Sequence, residues 1–154
     1  MTNSDRVRVR GIVAAFRHVE HVPFASGVGR ADDWRESSLR SLNCSVFAQW
    51  LALRCLGWGK AERDDPSLSP ASASFLYHAS RFPSVSGESA LPGDLCLYRD
   101  PADATAFHCM VYLGWSRKRV ELVVGACENE QRMLVRPVCY ERRWILSRIR
   151  RIAR

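Results

Sequence analysis

The sequence contains only two lysines, no CxxC cysteine pair and no long uninterrupted run of apolar residues. A helix that spans a membrane needs about 20 consecutive apolar residues, whereas the longest apolar stretch here, Val46 to Leu53, is broken by Gln49. We therefore predict no membrane span. Structural zinc sites usually have pairs of ligands that are close in sequence, and such pairs are absent here, so we predict no zinc site. The alternative is a zinc site formed by His108, Cys109 and Cys127.

The N-terminus lacks the features of a secretory signal peptide. Its first residues are charged, but only a short apolar stretch, Ile12 to Phe16, follows them, and no cleavage site of small residues is present. We predict cytoplasmic synthesis without a cleaved signal peptide. Three kinds of protein are compatible with the absence of these features: a cytoplasmic protein, an effector delivered to a periplasm by a dedicated secretion system, or a chain whose leader has been removed.

The net charge of +7 comes almost entirely from arginine. A basic surface favours polyanions, including nucleic acid and acidic wall polymers. The arginines are scattered, however, and no basic face with interleaved aromatic residues is evident, so a nucleic-acid partner is not predicted. Only the C-terminal segment has a local cluster, which we interpret as the solvated side of an amphipathic segment. Its arginines are Arg142, Arg143, Arg148, Arg150, Arg151 and Arg154, and its apolar side comprises Trp144, Ile145, Leu146, Ile149 and Ile152.

The length of 154 residues and the apolar content of 47% suffice for one hydrophobic core, so residues 1–154 are predicted to form a single domain. Helical periodicity in the first half and short β-branched and aromatic runs in the second predict an α+β fold. A central buried helix is expected to pack on a C-terminal antiparallel sheet. The predicted helices are Arg8–Val19, Asn43 or Cys44 to Leu56, and Ser69 to Ala79, with a polar turn region over 60–70. The predicted strands are Leu95–Tyr98, Cys109–Leu113, Arg119–Val124 and Met133–Val138.

Cys44 is the candidate nucleophile among six cysteines. Most of the others lie among apolar neighbours, where a free cysteine behaves as a small buried hydrophobe. Cys44 instead begins a predicted helix directly after a polar loop, where unpaired backbone N–H groups and the helix dipole stabilise a thiolate. The alternative, a structural cysteine in a buried helix, is equally compatible with this local pattern.

His108 is the candidate general base. It is expected to open an apolar strand just after an exposed loop, a position that holds an imidazole rigidly and still lets it reach substrate. His18 and His21 lie around the end of the first helix, and His78 lies beside aromatic residues in the third. We interpret these three as structural.

Four short motifs, in the same order along the chain, make the sequence similar to the NlpC-type peptidases, which have a papain-like fold and cleave amide bonds in peptidoglycan stem peptides. The segment from Ile12 to Gly29 resembles the leading helix and substrate loop. NCSVFAQW resembles the Asp-Cys-Ser-Gly-Phe-Val-Gln helix start, LPGDLCLY the Pro-Gly-Asp-Leu strand, and HCMVYLG the His-Val-Gly-Ile-Tyr-Leu-Gly strand. The resemblance implies that Cys44 and His108 form the catalytic pair.

Several family positions are changed. Asn43 stands where the family has an aspartate that helps bind the free amine of the stem peptide, Val46 replaces a glycine, and Phe24 replaces a frequent tyrosine. If Gly114 lies opposite Arg119 in a hairpin, His108 lies across from Gly125, where the family has a histidine that orients the imidazole. Glycine has no side chain for this role, so Glu128 is predicted to take it. The alternatives are Asn129, a main-chain carbonyl or a water molecule.

The resemblance implies acyl transfer by a cysteine hydrolase that needs no metal or organic cofactor. The expected substrate is a peptidoglycan peptide that contains the γ-D-glutamyl to diamino acid bond. The protein is expected to act as an antibacterial effector, with an immunity or secretion partner that is not identified. The alternative function is a non-catalytic papain-like module that binds a wall polymer or another polyanion.

Overall fold

The computed structural model describes residues 2–24, 43–68, 72–127, 130–139 and 143–152. Within these ranges, helices occupy the first half of the chain and strands the second. The helices are α1 (Asn3–Val19), α2 (Cys44–Cys55), α3 (Lys60–Asp64) and α4 (Ala73–His78). No helix of this described part is long and apolar enough to cross a membrane.

Six strands form one antiparallel sheet in the order β1-β6-β2-β3-β4-β5. The strands are β1 (Ser84–Val85), β2 (Leu95–Asp100), β3 (Asp103–Trp115), β4 (Glu121–Cys127), β5 (Arg132–Pro137) and β6 (Ile145–Arg150). Helices followed by an antiparallel sheet make the fold α+β, which confirms the class predicted from the sequence.

The helix α2 is buried on nearly all sides, as its apolar sequence predicted. Its residues from Ser45 to Ala52 are all buried, and the helix contacts α1, β3 and β4. Asn43 provides its N-cap, because the side-chain oxygen accepts a hydrogen bond from the backbone N–H of Val46 at 2.8 Å. The cap therefore makes Cys44 the first helical residue.

The two faces of the sheet carry separate apolar clusters. Along β3, Cys109, Val111 and Leu113 belong to the cluster that contains α1 and α2. Met110 and Tyr112 alternate with them and belong to the cluster on the opposite face. The main core therefore lies between the sheet and the helices, and the second cluster lies on the other face of the sheet.

The C-terminal segment differs from its prediction as a solvated amphipathic segment, because it forms β6 between β1 and β2. Arg150 is buried, and its guanidinium donates hydrogen bonds to the backbone oxygens of Phe82 at 2.7 Å and Tyr77 at 2.9 Å. Arg151 donates to both carboxylate oxygens of Asp94. Both arginines bind groups inside the protein. A cluster of arginines in the sequence therefore did not mean a solvent-exposed face here. Arg142 and Arg154 lie outside the described residues.

The region between α2 and β1 also differs from its prediction. Part of the expected polar turn region forms α3, and α4 begins at Ala73 rather than near Ser69. The N-cap of α4 is Ser72, whose hydroxyl accepts a hydrogen bond from the backbone N–H of Phe75 at 3.0 Å. Ser72 therefore caps this helix, and the predicted cap residue Ser69 lies outside the described residues.

Candidate active site

Cys44 lies half-buried at the N-terminus of α2. The first N–H groups of a helix have no intrahelical partner, and together with the helix dipole they favour negative charge at this end. Asn43 holds this turn in place by accepting hydrogen bonds from the backbone of Val46 and from the hydroxyl of Ser45 at 3.0 Å. The local structure thus favours a thiolate at position 44.

Two neighbouring residues of β3, His108 and Cys109, lower the pKa of the Cys44 thiol. A hydrogen bond from the Cys109 thiol is the main reason that the pKa of Cys44 is held well below its usual range. The charge of His108, its hydrogen bond to the sulfur and the backbone N–H of Cys109 act in the same direction, whereas burial opposes them. The same thiol-thiol hydrogen bond, with burial, raises the pKa of Cys109 well above its usual range. The predicted nucleophile and base are therefore brought together.

His108 lies inside β3 and not at its start. The expected exposed loop before it is a tight turn, in which the backbone N–H of Ala102 donates to the Asp100 carboxylate at 2.8 Å. Because the turn is so short, β3 already begins at Asp103, and His108 pairs with Tyr98 on β2. The imidazole is consequently buried, with 5% of its surface exposed, and is held by the sheet rather than by a loop.

Trp144 packs on the His108 ring. The two ring centroids are 5.2 Å apart with an interplanar angle of 27°, and the guanidinium of Arg143 covers the indole at 4.8 Å. Arg143 in turn donates a hydrogen bond to the Asp100 carboxylate at 2.7 Å, which is the main reason that the pKa of Asp100 is lowered. Trp144 could not be assigned to the site from the sequence, because only the pairing of β6 with β2 brings it to His108.

The predicted register between β3 and β4 is wrong. Gly114 lies opposite Leu122 rather than Arg119, because the connecting turn extends from Ser116 to Val120 and a bulge separates Tyr112 from Gly114. A Cβ atom added to Gly125 would lie 3.0 Å from the Cγ atom of Met110, so Gly125 faces Met110 and not His108.

The residues proposed to orient the imidazole, Glu128 and Asn129, lie outside the described residues. Of the ring contacts that the structure does describe, those of His108 are with Trp144 and, at 6.1 Å, with Tyr98. Aromatic packing against these two side chains therefore holds the imidazole ring in place.

The remaining cysteines and histidines have different surroundings from Cys44 and His108. Burial raises the pKa of Cys55 to about 11 and that of Cys96 further. Cys139 is exposed and lies beyond the end of β5, so the expectation of a buried environment for most of the cysteines does not hold at this position. The exposed histidines are His18, His21 and His78.

The zinc alternative finds no support in the described ranges, where no three or more His, Cys, Asp or Glu side chains are grouped to hold a metal ion. Comparisons with models of known protein families and with curated proteins give no match.

We predict that Cys44 is the thiol most rapidly alkylated near neutral pH. A lowered pKa keeps the thiolate populated at lower pH, so the rate of alkylation should reach half its maximum below the usual pKa of about 8.5. Iodoacetamide labelling across a pH series, followed by peptide mapping, measures this midpoint. In the Cys109→Ala variant the midpoint should rise, because the largest stabilising hydrogen bond is lost.

Cys55 is the matched internal control, since it is also half-buried and lies at the other end of the same helix. With a pKa of about 11, it should react slowly throughout the neutral range. Preferential labelling of any thiol other than Cys44 would contradict the assignment of the nucleophile.

Proposed function

We propose that the protein is a cysteine hydrolase that cleaves amide bonds, with Cys44 as nucleophile and His108 as general base and acid. The observation that carries the proposal is the position of the half-buried Cys44 at the N-terminus of α2, a helix that contacts the strand β3 on which His108 lies. A nucleophile activated in this way, beside a base held by a rigid strand, is the arrangement that acyl transfer requires.

The proposed reaction has two steps. The Cys44 thiolate attacks the carbonyl carbon of the amide, and the backbone N–H of Cys44 donates a hydrogen bond to the oxyanion that forms. His108 then protonates the nitrogen of the leaving amine, and the C–N bond breaks to leave a thioester on Cys44. A water molecule, deprotonated by His108, hydrolyses the thioester and releases the carboxylic acid.

The arrangement of α2 on the sheet supports a papain-like architecture of the NlpC type. In this arrangement the nucleophile begins a buried helix and the base lies on a strand that the helix contacts. The Pro-Gly-Asp motif also has a defined role, because Gly93 has a φ of +100° and Asp94 is buried. The Asp94 carboxylate accepts hydrogen bonds from the backbone N–H of Leu91 and from Arg151, so the motif joins the start of β2 to the end of β6.

We further propose peptidoglycan stem peptides as the substrate, with the bond between γ-D-glutamate and the diamino acid as the first candidate. The resemblance in four motifs supports this class. Asn43 has no charge with which to bind a free amine, and its side-chain oxygen already caps α2. Recognition of a free N-terminal amine is therefore not expected to depend on position 43, and a stem peptide that is still attached to glycan is an equally suitable substrate. An antibacterial effector with an immunity partner is the proposed setting.

Digestion of purified bacterial sacculi by the fresh, reduced protein tests this function. We expect new muropeptides that end in D-glutamate, identified by mass spectrometry, and no release of reducing sugars, because amide bonds and not glycosidic bonds are cut. Protein alkylated at Cys44 beforehand is the control. If the muropeptides are unchanged while the protein sediments with the sacculi, the hydrolase is contradicted and a non-catalytic wall-binding module is favoured.

A further inference from the structure

The strand β5 forms one edge of the sheet. Among the residues that the structure describes, β4 is the one strand that pairs with it. Val138, directly after β5, donates its backbone N–H to the backbone oxygen of Glu121 at 2.9 Å. Because the direction of hydrogen bonding alternates along an antiparallel strand, the even-numbered residues of β5 bond to β4. The N–H and carbonyl groups of Met133 and Val135, and the carbonyl of Pro137, therefore point away from the sheet.

The side chains of β5 give this edge a regular charge pattern. Arg132, Leu134 and Arg136 follow one another at two-residue intervals on one face of the sheet. Leu134 packs on the apolar cluster of the face away from the helices. Arg132 is exposed over 64% of its side chain and Arg136 over 34%, and both lie beside a single carboxylate, that of Glu130. Two guanidinium groups and one carboxylate leave the edge with a net positive charge.

We propose that β5 binds an extended acidic segment of a partner protein, which adds one further strand to the sheet. The segment carries two carboxylates four residues apart, with an apolar residue midway between them. Backbone hydrogen bonds to Met133 and Val135 supply affinity, and the alternate side chains supply the preference for this pattern. The proposal does not rest on the proposed hydrolase, because β5 carries none of the candidate catalytic residues.

An added strand would place its acidic side chains directly opposite the arginines. Met133 and Val135 would form the hydrogen-bonded pairs of the new ladder. Arg132, Leu134 and Arg136 would then occupy the non-hydrogen-bonded positions, where facing side chains come closest. Opposite charges in facing positions stabilise the pairing of two strands. The other face of the added strand would cover Val135, of which 39% is exposed.

A second copy of this chain fits the same edge less well. In antiparallel pairing centred on Leu134, Arg132 of each copy would lie opposite Arg136 of the other, and like charges in facing positions are destabilising. A register shifted toward the end of the strand would rely on Pro137, which has no N–H to donate. Charges and proline on an edge strand commonly prevent such self-association. The charge pattern therefore favours an acidic partner.

Binding of a fluorescein-labelled peptide, Thr-Glu-Val-Leu-Val-Glu-Thr, to the full-length protein tests the proposal by fluorescence anisotropy. One control peptide has lysine in place of both glutamates. The other is N-methylated on both valines, whose N–H groups would face β5. We expect the acidic peptide to bind at least about tenfold more tightly than either control. In a two-dimensional NMR spectrum, its largest effects should be on the backbone amides of Met133 and Val135.

Val135→Pro separates backbone pairing from charge. It removes an outward N–H and keeps the hydrogen bonds to β4, because proline is tolerated where the N–H of an edge strand points away from the sheet. It should weaken binding of the acidic peptide at least about tenfold. Val135→Thr, the matched control, keeps the N–H and a β-branched side chain and should change binding less than about threefold.

Charge reversal tests the side-chain pattern. The double variant Arg132→Glu, Arg136→Glu should bind the lysine peptide more tightly than the glutamate peptide. Arg132→Glu alone, at the more exposed position, should reduce the preference for the acidic peptide in the same direction. Circular dichroism verifies that each variant is folded.

The proposal is overturned if the acidic peptide does not bind, if the lysine or N-methylated peptide binds equally well, or if the largest amide shifts lie outside β5. A dimer that forms without peptide and is abolished by Val135→Pro would also overturn it, since a second copy would then occupy the edge. A protein that binds the acidic peptide yet leaves sacculi intact retains this interface and loses only the hydrolase, so the two failures are distinguishable.

Discussion

Cys44→Ala and Cys44→Ser should release no muropeptides above background, with kcat/KM lowered by at least about 1,000-fold. Alanine removes the nucleophile altogether. Serine keeps a hydroxyl, but its pKa is far above that of the thiol and the site lowers the pKa of a sulfur group through hydrogen bonds from Cys109 and His108. These donors would not ionise an alcohol to a useful extent. The rate of fragment release from sacculi, followed by mass spectrometry, measures the loss.

His108→Gln should lower the rate to a similar extent, because glutamine can donate a hydrogen bond but cannot accept a proton and return it to the leaving amine. Cys55→Ala is the control on the same helix and should keep the full rate. Activity retained in Cys44→Ser would show that another group is the nucleophile. Activity retained in His108→Gln would leave Cys44 in place and move the base to another residue.

Arg151→Met should reduce the free energy of unfolding by about 3 kcal/mol, because it leaves a buried carboxylate without its charged partner. Asp94 has no exposed surface, and Arg151 donates to its two oxygens at 3.1 and 2.9 Å. The hydrogen bond from the backbone of Leu91 remains, so the loss should lie at the lower end of the range for such pairs. Urea denaturation at neutral pH measures it.

Arg132→Met is the matched control for this pair. Arg132 faces Glu130 across 3.8 Å, and 64% of its side chain is exposed, so its removal should cost less than about 1 kcal/mol. Combining Arg151→Met with Asp94→Asn should be less destabilising than the sum of the two single changes, because the uncompensated charge is then absent. Equal effects of Arg151→Met and Arg132→Met would mean that the buried pair contributes no more than a surface contact.

Local sequence was sufficient to predict the elements whose burial follows a regular pattern. The start of α2 follows from the Asn43 cap and the apolar run after it, and β2 to β5 follow from short apolar runs between turn residues. The position of Cys44 at a helix N-terminus was predictable for the same reason. In contrast, β6 has buried and exposed positions in irregular order, and its arginines resemble those of a solvated segment.

The parts of the site that could not be predicted depend on long-range pairing. Cys109 has the sequence context of an ordinary core cysteine, and only the packing of α2 on β3 brings it to the nucleophile. Trp144 reaches His108 because β6 pairs with β2. The bulge between Tyr112 and Gly114 shifted the register of β4, and no residue type in the hairpin specifies a bulge uniquely.

The position of β6 between β1 and β2 has a consequence for how the chain acquires its structure. The ribosome releases β2 and then β3, β4 and β5 before it releases β6, so one edge of β2 stays without its final partner while most of the sheet can already pair. An open strand edge is a template for pairing with other chains, and contacts between distant segments form slowly because a long loop must close first. The same late strand brings Trp144 to His108, so the surroundings of the candidate site are completed only when β6 pairs with β2. Partly folded chains therefore carry an exposed strand edge without the completed site.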